Sequence, residues 1–157
     1  MDSIYVGKTV STHGIQGEIK IVSDFEYKNK VFVVGNILII DNKEYIIKSY
    51  RHHKNYEMVT LNNYKDINEV LFLLKKNVYF KKSNLFLDDQ EVLDSDLITY
   101  KVFSNDQKAG IIKEIFYASP TNKVVRILFD REVLVPYQFL TIDKKNKCCY
   151  VEIMEGM

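Results

Sequence analysis

The sequence predicts a mostly β protein built from two small units, each a barrel or a sandwich. Three observations predict it. Apolar, β-branched runs recur along the chain, separated by clusters of Asn, Asp, Ser and Pro. That is the pattern of short, half-buried strands joined by turns. One segment alone, 66–76, has helical periodicity. Finally, the stretch KKSNLFLDDQ, residues 81–90, flips from basic to acidic and divides the chain. Each half holds about 75–80 residues, small but viable if barrel closure removes the sheet edges.

The first half opens with a strand at 4–10, where Ile4, Val6, Lys8 and Val10 share one face. A second follows at 19–22. Runs at 37–40 and 45–47 flank Asp41-Asn42-Lys43, which has hairpin composition because Asn tolerates positive φ and Asp bonds its own backbone. A further strand is expected at 58–61. Within 66–76, Ile67, Val70, Leu71 and Leu74 fall on one helical face. Asp66 and Glu69 resemble a capping box, Lys75 and Lys76 suit the C-terminal dipole, and Asn77 can end the turn. The spacing predicts a helix of about three turns. Strand character resumes at 78–80. In the second half, strands are expected at 97–103, 111–116, 124–129, 133–136 and 149–153, with turn clusters between them. The expected division is a domain at 1–82, a linker at 83–90 and a domain at 91–157.

Composition narrows the function. Apolar residues make up 46% of the chain, enough for packed cores. No apolar run reaches the roughly 18 residues of a membrane helix. Met1 opens without a basic-then-apolar leader, so no secretory signal is expected. Cys148 and Cys149 are adjacent and would point to opposite faces of a strand, which disfavours a disulfide. A reduced, cytoplasmic protein is expected. Net charge is +1 overall, but residues 1–82 hold 13 Lys and Arg against 9 Asp and Glu, whereas residues 83–157 hold 9 against 12. A basic half joined to an acidic half suggests partners of opposite charge.

Three groups of residues could carry chemistry. His13 lies in Thr12-His13-Gly14-Ile15-Gln16-Gly17. A general base needs a nucleophile within reach, and no Gly-x-Ser-x-Gly or nearby cysteine supplies one. Gly14 and Gly17 instead suit a sharp inter-strand connection that displays His13 and Gln16. In Tyr50-Arg51-His52-His53-Lys54, adjacent strand residues diverge, which argues against a shared metal ion. Two readings stand: a solvated basic turn, or a loop in which Arg51, Lys54 and Lys48 meet RNA phosphate and Tyr50 and Tyr56 stack on bases. The 11 tyrosines and 9 phenylalanines are mostly expected in the cores. No phosphate-binding glycine loop, dinucleotide fingerprint or carboxylate cluster is present, so neither cofactor nor metal is expected.

The order of these segments resembles one family. VGKTVSTHGIQGEIKI, with Thr12, His13, Gly14, Gly17 and Glu18, closely resembles the opening motif of the ribosome maturation factor RimM family. YRHHKNYEMVTL, YKDINEVLFLL, SDLITYKVF, GIIKEIF, VLVPYQFLTID and the closing MEGM resemble later family segments in the same order. Three positions depart from the pattern. Val92 and Leu93 stand where the family usually has an aromatic pair linked to binding a ribosomal protein, and Thr99 stands for a glycine. The resemblance implies a translation-factor-like barrel followed by a PRC barrel. It also implies a non-catalytic assembly factor that binds ribosomal protein S19 and the immature head of the 30S subunit and promotes 16S rRNA maturation. The expected RNA or ribosome contacts are Thr12, His13, Gly14, Gln16, Gly17, Arg51, His52 and Lys54, with Lys75 and Lys76 as further candidates. Val92, Leu93, Asp96, Leu97 and Pro136 are expected at or near the protein-partner surface. The chain is expected to be a monomer with no small-molecule substrate. The rival readings are a freestanding RNA- or tRNA-binding module and a histidine-dependent RNA hydrolase.

Overall fold

The computed structural model describes residues 2–154; the Glu-Gly pair of the closing MEGM lies outside them. The chain divides into two compact units, Met1–Phe86 and Leu87–Met157.

The first unit is a closed barrel of six strands: β1 (Ser3–His13), β2 (Glu18–Val22), β3 (Ile37–Ile40), β4 (Lys43–His53), β5 (Tyr56–Leu61) and β6 (Asn77–Lys81). Their order is β1-β2-β5-β4-β3-β6, and β6 closes on β1. All its ladders are antiparallel. Alternation does most of the sorting. Ile19 and Ile21 on β2, Leu38 and Ile40 on β3, and Tyr45 and Ile47 on β4 are buried in one core. The β3–β4 hairpin turns on Asp41 and Asn42, both at positive φ (53° and 64°), the conformation the sequence composition favours.

Two helical features differ from expectation. A short helix, α1 (Lys28–Val31), fills the β2–β3 connection and had no periodic signature. The three-turn helix expected over 66–76 is instead α2 (Ile67–Val70) followed by a single 3₁₀ turn, Leu71–Leu73. Val70 and Leu73 enter the core, while Leu71 and Phe72 stay about half exposed. Lys75 at φ 60° then reverses the chain into β6. Start signals are nevertheless used: Asp66 Oδ1 accepts from Asn68 N (2.8 Å), and Glu69 Oε1 accepts from Lys65 N (3.0 Å).

What truncates this helix is β1. Thr9 is fully buried, and its hydroxyl donates to Leu73 O (2.6 Å) and accepts from Lys76 N (2.9 Å). The backbones add Thr9 N to Lys76 O (2.9 Å) and Lys75 N to Thr9 O (3.0 Å). A continued helix would keep these groups for itself. Buried backbone groups must be paired, and here the strand supplies the partners.

The second unit contains α3 (Asp94–Leu97) and strands β7 (Lys101–Ser104), β8 (Ala109–Ser119), β9 (Asn122–Leu128), β10 (Glu132–Pro136), β11 (Thr141–Asp143) and β12 (Cys148–Val151). They form one sheet, β10-β9-β8-β7-β12-β11, with a parallel β7–β12 pair. Both edge strands bury residues in the same core, through Val133 and Val135 on β10 and Ile142 on β11. The sheet therefore curls around a single core. The strand expected at 97–103 begins only at Lys101, because Asp94–Leu97 is helical. Strand β11 had no sequence signature of its own. Cys148 and Cys149 are both free and buried; burial pushes the Cys149 thiol up to about 12.

Residues 83–90, expected as a connecting segment, are engaged with the units they adjoin. Leu85 packs against the first core. Gln90 exchanges two hydrogen bonds with the Ile142 backbone, at 2.8 and 3.1 Å. No helix among the described residues is long and apolar enough to cross a membrane.

Thr9→Val preserves shape but strands two buried backbone groups. We expect a loss of about 1–3 kcal/mol, read as a lower urea midpoint for amide exchange in β1 and β6. Thr9→Ser, which keeps the hydroxyl, should lose less.

Candidate functional site

The β4–β5 hairpin ends in a two-residue turn, with His53 paired to Tyr56 and Lys54 at φ 55° at its tip. Strand alternation splits the YRHHK run between two faces. Arg51 and His53 lie on the outer face with Ser49. Tyr50 and His52 lie on the other.

The outer face is a ledge across β2, β5 and β4, where Lys20, Met58 and Arg51 stand in one cross-strand row. Arg51 is held in a two-pronged ion pair by Glu18, at 2.9 and 2.8 Å. The hydrogen bond from Arg51 holds the Glu18 carboxyl below its usual range. Partly exposed pairs of this kind add little stability; their effect is to fix the guanidinium. Lys20 lies 5.0 Å from the Tyr56 ring centre. His13, at the end of β1, lies 5.7 Å from His53 ring to ring. Desolvation, then the charges of Arg51, Lys54, His13 and Lys20, lowers the His53 pKa. Lys54 is exposed.

The other face converges on Glu57, which is only 2% exposed. Its carboxylate accepts from Tyr50 Oη (2.6 Å) and from His52 Nδ1 (3.1 Å to each oxygen), and Lys28 Nζ lies at 3.6 Å. Burial first, and the bond to Glu57 second, pushes the Tyr50 phenol up to about 12. Tyr50 also stacks on Phe32, with ring centres 6.2 Å apart. Tyr50 and His52 are thus tied to the unit's own carboxylate. Glu57 escaped sequence reading because a glutamate in a strand normally faces water. Its period-two spacing from Val59 and Leu61 was the available signal.

The β1–β2 loop is anchored at its backbone. Ile67 N donates to Ile15 O (3.1 Å). Gly17 sits at φ 82°, where a side chain is strained, and a Cβ there would lie 3.3 Å from Asp66 N, a tight contact. Gly14, at φ 69°, faces open space. His13, Ile15 and Gln16 are exposed, and Thr12 is half-buried. Lys76 pairs with Asp41 at 3.3 Å, and Lys75 occupies the chain reversal.

In the second unit, Val92 (3% exposed), Leu93 (5%) and Leu97 (0%) are buried. Val92 and Leu97 pack in the unit's own core, while Ile98, at the end of α3, is 42% exposed. Asp96 and Pro136 are half-buried. Sequence reading missed Lys123 here. Its ammonium is 2.8 Å from Asp94 Oδ1 and 4.2 Å from the Tyr137 ring centre. It binds β9 to α3 and to the turn after Pro136.

Among the described residues, no group of three or more His, Cys, Asp and Glu could hold a metal ion. His13 and His53 meet on the outer face, and His52 points to the opposite one, so the three histidines do not converge. The fold is that of a two-unit, mostly β protein, a closed barrel followed by a six-stranded curled sheet. Residues 4–85 match the RimM N-terminal domain family, and residues 89–157 match the PRC-barrel domain family. The ribosome maturation factor RimM of Staphylococcus aureus is 32% identical over 164 residues, spanning 98% of each chain. That of Staphylococcus saprophyticus is 32% identical over 165 residues with the same coverage. A crystal structure titled as a 16S ribosomal RNA processing protein RimM, from Pseudomonas aeruginosa, is 23% identical, covers 99% of this chain and 100% of its own, and has a TM-score of 0.48. The chain belongs to the RimM family.

Two outcomes follow. Folded His53 binds its proton less readily than an unfolded histidine. Its contribution to stability is therefore full above about pH 6.5 and falls as the pH drops towards the lowered folded value. NMR titration should place its midpoint below that of an unstructured histidine, and Lys54→Gln should raise it. Separately, Lys123→Met should destabilise the second unit by about 1–2 kcal/mol, seen as faster amide exchange in β9 and α3.

Proposed function

We propose that this chain acts in ribosome maturation as a non-catalytic binding factor in the cytoplasm. It engages the immature head of the 30S subunit through 16S rRNA and ribosomal protein S19. The observation that carries this reading is the end-to-end match to proteins named ribosome maturation factor RimM.

The division of labour follows charge. The first unit meets rRNA phosphate with Lys54 and Arg51 on the hairpin and with His13, Gly14 and Gln16 on the β1–β2 loop. Thr12 and Gly17 set that loop's shape. Such contacts position a protein without reading sequence. The second, acidic unit takes the basic ribosomal protein, with Asp96 and Pro136 near the contact. The domains proposed are 1–82 and 91–157, joined by 83–90, in a monomer. The mechanism is a population shift: binding the productive rRNA fold more tightly than its alternatives raises its share. No bond is made or broken.

A second reading, a freestanding RNA-binding module, is favoured by one observation: the first unit is a closed barrel with its own core. The full-length chain, tagged, should recover precursor small subunits from cells. Recovery of mature ribosomes only, or of none, overturns the assembly reading. Equal binding to naked RNA with or without S19 favours the module.

A further inference from the structure

Next to the ledge lies a cleft lined in part by Gln16 and by Lys48, the lysine that the sequence offered as a phosphate contact. Strand β4 shifts register between Ile47 and Ser49, and Lys48 sits at this irregularity. Lys48 lines a cleft of about 450 Å³ together with Thr60, Asn63, Tyr64 and Lys65. Gln16 and Thr60 also line the hollow beside His13 and Arg51, so the two depressions adjoin along one path. On it, the Ser49 and Thr60 hydroxyls bond each other at 2.6 Å.

The charges along this path are uneven. Lys48 and Lys65 make no ion pair among the described residues. The carboxylates nearest Lys65 in sequence, Asp66 and Glu69, are engaged with backbone N–H groups at the start of α2. The other carboxylate on the path, Glu18, is held by Arg51. Elsewhere on the barrel, Lys28, Lys76 and Lys81 each have a carboxylate partner. Lys8, Lys20, Lys43, Lys54 and Lys75 also have no ion pair among the described residues, but Lys48 and Lys65 are the two that line this concave surface. Tyr64 is half-buried against the core and edge-on to Phe72, with centres 6.2 Å apart.

We propose that this cleft is a binding path for single-stranded RNA, with phosphates at Lys48 and Lys65 and a base against Tyr64. The inference rests on the RNA contact proposed for the adjoining ledge. A concave site with a ring in its wall suits an unpaired base; a duplex keeps its bases stacked and offers mainly a convex phosphate surface. Stacking plus point charges gives sequence-tolerant binding.

The test uses the full-length chain and a fluorescein-labelled single-stranded RNA of mixed sequence, read by anisotropy at several salt concentrations. Its comparators are a blunt duplex of the same sequence and an acidic peptide. The single strand should bind more tightly than either. The double variant Lys48→Gln/Lys65→Gln should lower the slope of log K against log salt by about 1.4, near 0.7 per phosphate contact. Tyr64→Leu should weaken binding about tenfold and leave that slope unchanged. Because Tyr64 also packs on the core, the lysine pair decides alone. Wild-type slope and affinity in the lysine variant overturn the proposal, as does equal or tighter binding of the duplex or the peptide. If the wild-type chain binds no RNA, the RNA contact of the ledge falls with it. If RNA binds but ignores the lysine pair, only this cleft is lost.

Discussion

Thr9 is the residue on which the first unit turns. Its hydroxyl and backbone hold the segment between α2 and β6 against β1, where the barrel closes. A strand that pairs on both sides leaves no open edge. The same contact stops the helix, reverses the chain at Lys75 and delivers β6 to its partners. Val70 and Leu73 reach the core because of that reversal. The start of α2, in turn, fixes the β1–β2 loop through Ile15 O and Gly17. One buried threonine thus couples barrel closure to the placement of the loop that carries His13 and Gln16.

The β4–β5 hairpin shows how one run of sequence serves two ends. Alternation sends Arg51 and His53 outward and Tyr50 and His52 to Glu57. The buried side is structural: a carboxylate with several donors satisfies its own need for partners. On the outer side Arg51 is fixed by Glu18, and Lys54 at the hairpin tip stands exposed to water. In the second unit, Lys123 does comparable work, pinning α3 and the turn after Pro136 to β9. The Asp94 carboxylate and the Tyr137 ring hold its ammonium between them.

Much of the architecture was legible from residue order. Turn chemistry at Asp41-Asn42 placed the first hairpin, and alternation placed β2 and β3. Glycines and the Thr-His-Gly run marked the β1–β2 loop. The divergence of His52 and His53 followed from period two alone. Legibility failed where a local preference met a distant partner. The 66–76 segment has the periodicity of a helix, yet Thr9, nearly sixty residues earlier, takes its hydrogen bonds. Val92 and Leu93 read as replacements at a contact site, and their burial shows only once the unit is folded.

Sequence by itself determined what acts over a few residues: strand alternation, turn conformation, the two charge balances, and membership of a family with a shared order of motifs. These depend on φ and ψ preferences and on periodicity, which neighbours impose on one another. Tertiary structure decided which charges are spent and which are left over. Glu18 takes Arg51, Glu57 takes Tyr50 and His52, and Asp41 takes Lys76, while Lys48, Lys54 and Lys65 keep no carboxylate partner among the described residues. Pairing of that kind is a matter of distance in space, and barrel closure sets those distances between residues far apart in the chain.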